Sequence, residues 1–295
     1  MTKLKNWSIY KMKFDQTEAL TYYEVLDRAS SFLRELNHSS FVAEWLMRER
    51  LDWSKTELVM QYRNVMPVSE LKQFERDFEE FLKGLPMQQI IGHEWFYNRK
   101  FKVTEDTLIP RPETEEWLEQ VLTDLPQEPL SIVDIGTGTG IIGLTVKLER
   151  PADDVTITDI SKEALDVAKE NAQVLDAEIT AELGDLFEPL VGKKFDAIIS
   201  NPPYISEAEI NVMDQSVLDY EPKSALFADE DGLAIYKRMA ESIEKYLKPN
   251  GRIYLEIGYR QGDSVSRLFK NAFPDAKVTI WQDFNQLDRV VAVEL

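Results

Sequence analysis

The apolar positions divide the chain into two kinds of pattern. Up to about residue 82 they recur at the three-to-four spacing of amphipathic helices, over 18–36, 41–49, 57–64 and 69–82. Ser54-Lys55-Thr56-Glu57 has the form of a capping box, and Gly84 with Pro86 makes a helix stop. From about 87 to 107 the pattern turns to aromatic and β-branched residues, Trp95, Phe96, Tyr97, Phe101 and Val103. With Asn98 at a turn, it predicts a β-hairpin connector. Apolar runs near 131, 155, 178, 195, 252, 277 and 288 then alternate with helical stretches near 113, 141, 162, 232 and 262. That alternation predicts an α/β fold with a doubly wound, seven-stranded sheet. Only the last two runs lack a helix between them, so the final strand is expected to be antiparallel in an otherwise parallel sheet. The expected division is a small helical domain over 1–85, the hairpin connector over 86–108 and the α/β domain over 109–295.

Composition narrows the function. A chain of 295 residues, 43% hydrophobic, has enough apolar material for proper cores and is not disordered. Its 34 Lys and Arg stand against 53 Asp and Glu, a net charge of −19. Nucleic-acid binding draws most of its affinity from neutralised phosphates, so generic DNA or RNA binding is disfavoured. The lack of cysteine excludes disulfides and thiolate metal sites. His38 and His93 are the only imidazoles, each read as structural, and no metal is expected. No stretch approaches the roughly 18 apolar residues of a membrane span, and a cytoplasmic protein is expected.

The chemistry lies where the predicted strands end. Phe195-Asp196-Ala197-Ile198-Ile199-Ser200 runs directly into Asn201-Pro202-Pro203-Tyr204, and two prolines cannot continue a central strand. Such an exit holds the Asn201 side-chain carbonyl and the peptide carbonyls on a stiff frame, as acceptors for an NH2 group, with Tyr204 as a flat wall. It points to methylation of a planar nitrogen held with little orientational freedom. Alone, the tetrapeptide also reads as a loop that merely ends a strand. Upstream, Ser131-Ile132-Val133-Asp134-Ile135 leads into Gly136-Thr137-Gly138-Thr139-Gly140 and then a helix, a nucleotide-type turn. The dinucleotide fingerprint Gly-x-Gly-x-x-Gly is not met, because position 141 is Ile. Asp159 ends the next strand, placed to accept from ribose hydroxyls, with Ser161 as N-cap of the following helix; its alternative is a simple strand-end residue. Gly184-Asp185-Leu186-Phe187 is placed to cover an adenine ring and to offer its amino group a carboxylate. Asp185 and Phe187 read equally as a loop acid and a core anchor.

Together these segments resemble the PrmC/HemK family, the glutamine methyltransferases that modify peptide chain release factors. The resemblance covers about 85–295. It rests also on Gly84-Leu85-Pro86, Gln89-Ile90-Ile91-Gly92, Leu108-Ile109-Pro110-Arg111-Pro112-Glu113-Thr114-Glu115, Glu221-Pro222-Lys223-Ser224-Ala225-Leu226, Asp231-Gly232-Leu233 and Leu255-Glu256-Ile257-Gly258. Relatives carry an aromatic residue at the position of Leu186, so whether Leu186 or Phe187 covers the adenine stays open.

The resemblance implies a class I, Rossmann-like methyltransferase with S-adenosylmethionine as cofactor. The implied substrate is the Gln of the Gly-Gly-Gln loop of a release factor, and the implied role of the helical domain is recognition of that protein's body. Asn201, Pro202 and Tyr204 are then the catalytic candidates and Asn201 to Tyr204 the substrate loop. Gly136, Thr137, Gly138, Thr139, Gly140, Asp159, Asp185, Leu186, Phe187 and Asn201 would hold the cofactor. Arg111, Glu113 and Thr114 would close over its methionine end or touch the substrate loop; their alternative is helix capping and salt-bridging. A ribosomal-protein glutamine methyltransferase is the nearest competing reading. A nucleic-acid adenine methyltransferase, which would flip its base into the pocket, runs against the acidic charge. A non-catalytic adapter would need neither Asp159 nor an intact Asn201 to Tyr204 loop.

Overall fold

Ser54 opens its helix through the expected capping box: its Oγ accepts from the Glu57 N–H at 3.2 Å, and Glu57 Oε2 accepts from the Ser54 N–H at 2.7 Å. That cap sets the start of the third helix at Lys55 and not at 57. The structure is a computed structural model that describes residues 19–295. The chain separates into two compact units, Met1–Gly92 and His93–Leu295.

The first unit holds α1 (Tyr22–Glu35), α2 (Phe41–Leu51), α3 (Lys55–Gln61), α4 (Val68–Leu82) and α5 (Met87–Ile91). A second capping box, Thr21 with Glu24, starts α1; residue 18, where the periodicity places this start, lies outside the described residues. Val25, Leu26, Ala29 and Leu33 of α1 meet Leu46 and Met47 of α2 and Phe74 and Phe78 of α4 in one core. Residues 87–91, expected within the hairpin connector, are a helix of this unit. Arg50 pairs bidentately with buried Asp77 and also donates to the Ile90 carbonyl at 2.8 Å, and Met87, Ile90 and Ile91 pack on the helical core. Pro86 stands at the N-cap, where a missing N–H costs nothing, so it opens a helix there.

The second unit begins with the hairpin β1 (His93–Phe96) and β2 (Arg99–Lys102). Tyr97 and Asn98 both take positive φ, +50° and +59°, as a two-residue I′ turn requires. There follow α6 (Pro112–Asp124), β3 (Ser131–Ile135), α7 (Ile141–Glu149), β4 (Asp154–Asp159), α8 (Lys162–Val174), β5 (Thr180–Leu183) and β6 (Phe195–Ser200). Three short helical segments come next, α9 (Gln215–Tyr220), α10 (Lys223–Leu226) and α11 (Asp229–Gly232). The chain ends with α12 (Ala234–Ser242), β7 (Leu247–Glu256), α13 (Gly262–Ala272), β8 (Lys277–Gln282) and β9 (Asp288–Glu294).

The seven-stranded sheet has the order β5-β4-β3-β6-β7-β9-β8, and β9 is antiparallel to both its neighbours, as the short last connection predicts. Side chains alternate across the sheet with period two. Ile132, Ala197 and Ile199 face α6, α7 and α8 through Trp117, Leu144 and Leu165; Val133, Ile135 and Ile198 face α12 and α13 through Tyr236, Met239 and Phe269. Both faces are covered, which explains why the central strands read as continuous apolar runs. Among the described residues no helix is long and apolar enough to cross a membrane, and no group of three or more His, Asp or Glu could hold a metal ion.

Candidate active site

The parallel strands bring their C-terminal ends to one edge. β3 and β6 are neighbours, paired Ile135 to Ser200, and lie where the strand order reverses. A doubly wound sheet opens a crevice for ligands at such a point. Gly136 to Gly140 leave β3 here and Asn201 to Tyr204 leave β6. Asp159 ends β4, Gly184 follows β5 and Glu256 ends β7.

Gly136 and Thr137 both donate their N–H to the Thr158 carbonyl at 2.9 Å, pinning the turn to β4. Gly136 (φ +70°) and Gly138 (φ +55°) face open space, where an added Cβ would meet nothing within 4 Å, so a ligand can approach their backbone closely. Gly140 differs. A Cβ there would stand 2.8 Å from Leu144 Cδ1 and 3.2 Å from the Ala168 Cβ, so the absence of a side chain lets α7 seat against α8. Thr137 and Thr139 are buried; the Thr139 carbonyl accepts from Asn171 Nδ2 at 2.8 Å.

Asp159 Oδ2 accepts from the Gly138 N–H and Oδ1 from the Ser161 N–H, each at 2.9 Å, and burial pushes its carboxyl up. A carboxylate has about four lone-pair sites, so acceptor capacity remains toward the cleft. Ser161 caps α8, accepting from the Ala164 N–H at 3.1 Å. Asp134 was not singled out from the sequence. Its Oδ2 accepts from Thr137 Oγ1 at 2.5 Å and from the Gly143 N–H at 3.0 Å, while buried Oδ1 has no partner among the described residues. Burial pushes its carboxyl up to about 7, with a further rise from Asp159. The signal was an acid inside an apolar run, which has to find partners or shift its pKa.

Phe187 is withdrawn into the core and stacks on Tyr246 with ring centres 4.7 Å apart. Its neighbour Leu186 is half-buried and held at φ +49°. Asp185 is paired with Arg238 at 2.6 Å.

Asn201 to Tyr204 line a cleft of about 270 Å³ together with Leu108, Arg111, Met213, Val217 and Glu256. No described residue donates to Asn201 Oδ1 or to the Pro202 carbonyl. Tyr204 OH donates to Glu256 Oε1 at 3.3 Å, and burial with that negative neighbour raises its phenol pKa well above the usual range. Past Tyr204 the chain is stitched to α10: Ile205 donates to the Leu226 carbonyl and Ala228 to that of Ile205, both at 3.0 Å.

Arg111 stands at the N-cap of α6, but its side chain makes no capping hydrogen bond. It reaches Glu221 Oε1 at 2.5 Å, and Glu221 Oε2 accepts from the Ile109 N–H at 3.0 Å. The Glu221 side chain is 1% exposed, so this pair ties the segment before α6 to the segment before α10 across the cleft. Glu113 is half-buried. Thr114 is fully buried, and its hydroxyl donates to Glu256 Oε2 at 2.7 Å. The same hydroxyl oxygen accepts from Asn201 Nδ2 at 3.5 Å.

A family model described as methyltransferase small domain matches residues 118–219, and one described as PrmC N-terminal domain matches residues 24–92. A release factor glutamine methyltransferase of Enterococcus faecalis is 43% identical over 276 residues, 94% of this chain and 100% of that protein. One from Streptococcus pneumoniae is 43% identical over 269 residues, 90% and 96% of the two chains. The crystal structure of a methyltransferase from Pyrococcus furiosus aligns with TM-score 0.52 and 15% identity over 67% of this chain and 89% of that one, a likeness of fold. Identity at this level along nearly the whole of both bacterial relatives, with the two domain models met in order, settles the kinship: the chain belongs to the release factor glutamine methyltransferase family.

Proposed function

We propose that this protein transfers a methyl group from S-adenosylmethionine to the side-chain amide nitrogen (N5) of the Gln in the Gly-Gly-Gln motif of peptide chain release factors. The observation that carries the reading is the cleft at the end of β6. There Asn201 Oδ1 and the Pro202 carbonyl stand without donors among the described residues, beside a glycine cradle at the switch point.

The open backbone at Gly136 and Gly138, the spare acceptor sites of Asp159 and the apolar surface of Leu186 fit the cofactor. When bound, S-adenosylmethionine supplies an electrophilic methyl on a sulfonium. The protein's task is then to make an amide nitrogen, a poor nucleophile, available. Asn201 Oδ1 and the Pro202 carbonyl accept from its N–H groups and favour a localised lone pair as positive charge develops on nitrogen. Their dipoles act more strongly toward the transition state, which is where stabilisation accelerates reaction. Tyr204 stacks against the amide plane and restricts it. No general base is needed, because the methylated nitrogen is strongly acidic before it loses its proton to solvent.

The helical unit is assigned to recognition of the release factor body. A cytoplasmic location follows from that substrate, and the charge of −19 argues against nucleic acid as a second one. Incubation with cofactor and purified release factor, followed by tandem mass spectrometry, tests the reading. The added methyl should map to the loop Gln, and a methyl on any other residue contradicts it.

A further inference from the structure

Glu256 is 2% exposed and collects three donors: Thr114 Oγ1 and Trp117 Nε1, both on Oε2 at 2.7 Å, and Tyr204 OH on Oε1 at 3.3 Å. Indole N–H can only donate, so Oε2 is an acceptor. The Thr114 hydroxyl has one proton, and the short contact commits it to the same oxygen. Thr114 Oγ1 is therefore left with lone pairs alone toward its other neighbour, Asn201 Nδ2, at 3.5 Å. An amide nitrogen satisfies that neighbour and an amide oxygen would oppose it.

We propose that Thr114 and Glu256 are positioning residues for methyl transfer: the chain Glu256, Thr114, Asn201 fixes which end of the Asn201 amide faces the cleft. The argument rests on the role assigned to Asn201 above. With Nδ2 turned to Thr114, Oδ1 faces the substrate as an acceptor. In the reverse orientation an NH2 group would meet the NH2 of the target amide, donor against donor. The buried carboxylate is costly to bury, and a polarity device explains why it stands beneath the loop where an apolar residue would pack.

The test compares Thr114→Val, which keeps the shape and removes the hydroxyl, with Thr114→Ser, which keeps the hydroxyl. Turnover and KM for release factor, cofactor affinity by calorimetry, and the side-chain amide resonance of Asn201 by nitrogen-15 NMR are measured for each. Thr114→Val should lower turnover on the order of tenfold or more, less than deletion of a transition-state hydrogen-bonding group. KM and cofactor affinity should stay near wild type, and the Asn201 amide resonance should shift. Thr114→Ser should recover most of the turnover and the resonance position. A Val variant with wild-type turnover and an unmoved Asn201 resonance, or a Ser variant as impaired as Val, overturns the assignment. Failure of wild type itself to methylate release factor would sink the substrate reading instead, and the Asn201 resonance, which needs no substrate, still decides the orientation.

Discussion

Gln261 Nε2 donates to the Tyr204 carbonyl at 2.9 Å. The same nitrogen reaches the Asp231 carbonyl at 3.3 Å, and Gln261 Oε1 accepts from the Gly258 N–H at 3.0 Å. One side chain thus ties the end of the Asn201 to Tyr204 loop to the turn before α12 and to the end of β7. Glu230, Asp231 and Gly232 all take positive φ there, and a Cβ on Gly232 would fall 2.0 Å from the Tyr204 carbonyl oxygen. Gly232→Ala is expected to push Tyr204 out of place. Its left-handed backbone alone costs about 1–2 kcal/mol. Gln261→Leu should lower turnover while cofactor affinity holds, since Gly136, Gly138 and Asp159 are untouched. Steady-state kinetics with calorimetric cofactor titration checks both; loss of cofactor binding in Gln261→Leu would contradict the assignment.

Asn201→Ala should remove most activity, a fall on the order of 10²–10³ in turnover by analogy with loss of one transition-state hydrogen-bonding group. The thermal midpoint should be nearly unchanged, because among the described residues the one hydrogen bond of the Asn201 side chain is the long contact to Thr114. Asn201→Asp should also lose turnover heavily by placing an ionisable group beside the reacting nitrogen. A variant at 201 retaining most activity would remove this residue from the mechanism.

The strand ends were legible in the sequence and their partners were not. Ile132 to Ile135 and Phe195 to Ser200 are runs covered on both faces, broken by glycine or proline, and such runs announce central strands by themselves. The turn at Asn98 and the caps at Ser54 and Ser161 are local in the same way. Glu256 finds Thr114 and Trp117 across 142 and 139 residues, and Glu221 finds Ile109 across 112. Periodicity carries nothing about pairings at that range. An acid within an apolar run told only that a partner was needed, at Asp134 as at Glu256. The segment α9 to α11 was missed because its helices of four to six residues are too short to show a period. Phe187 and Leu186 are adjacent, and only the packing on Tyr246 separates them.

Asp134 should make stability fall as pH rises. Its folded pKa is raised to about 7 from 3.8, so between those values the unfolded chain has released this proton while the folded one retains it. Stability from this group is full below about pH 4, declines up to about pH 7 and is level above, the sign set by fewer protons bound in the unfolded state. Asp134→Asn should flatten that decline in denaturant titrations across the window. An unchanged slope would show that the carboxyl is ionised throughout.

Arg111→Ala should leave the Glu221 carboxylate buried with the Ile109 N–H as its one remaining donor among the described residues. Breaking a buried pair costs 3–5 kcal/mol, and with the Arg111 side chain 35% exposed a loss of about 1–3 kcal/mol is expected. Arg111→Ala with Glu221→Gln should be less destabilised than Arg111→Ala alone. Chemical denaturation of the variants measures this; additive losses would show that the two residues do not act as a pair.

The substrate is decided by methyl transfer from labelled S-adenosylmethionine to four acceptors in parallel. These are purified release factor, the same factor with its loop Gln changed to Ala, ribosomal protein and DNA. Label on the intact release factor alone is the predicted result. Label on ribosomal protein or DNA with the release factor blank would keep the methyl-transfer chemistry and contradict the substrate.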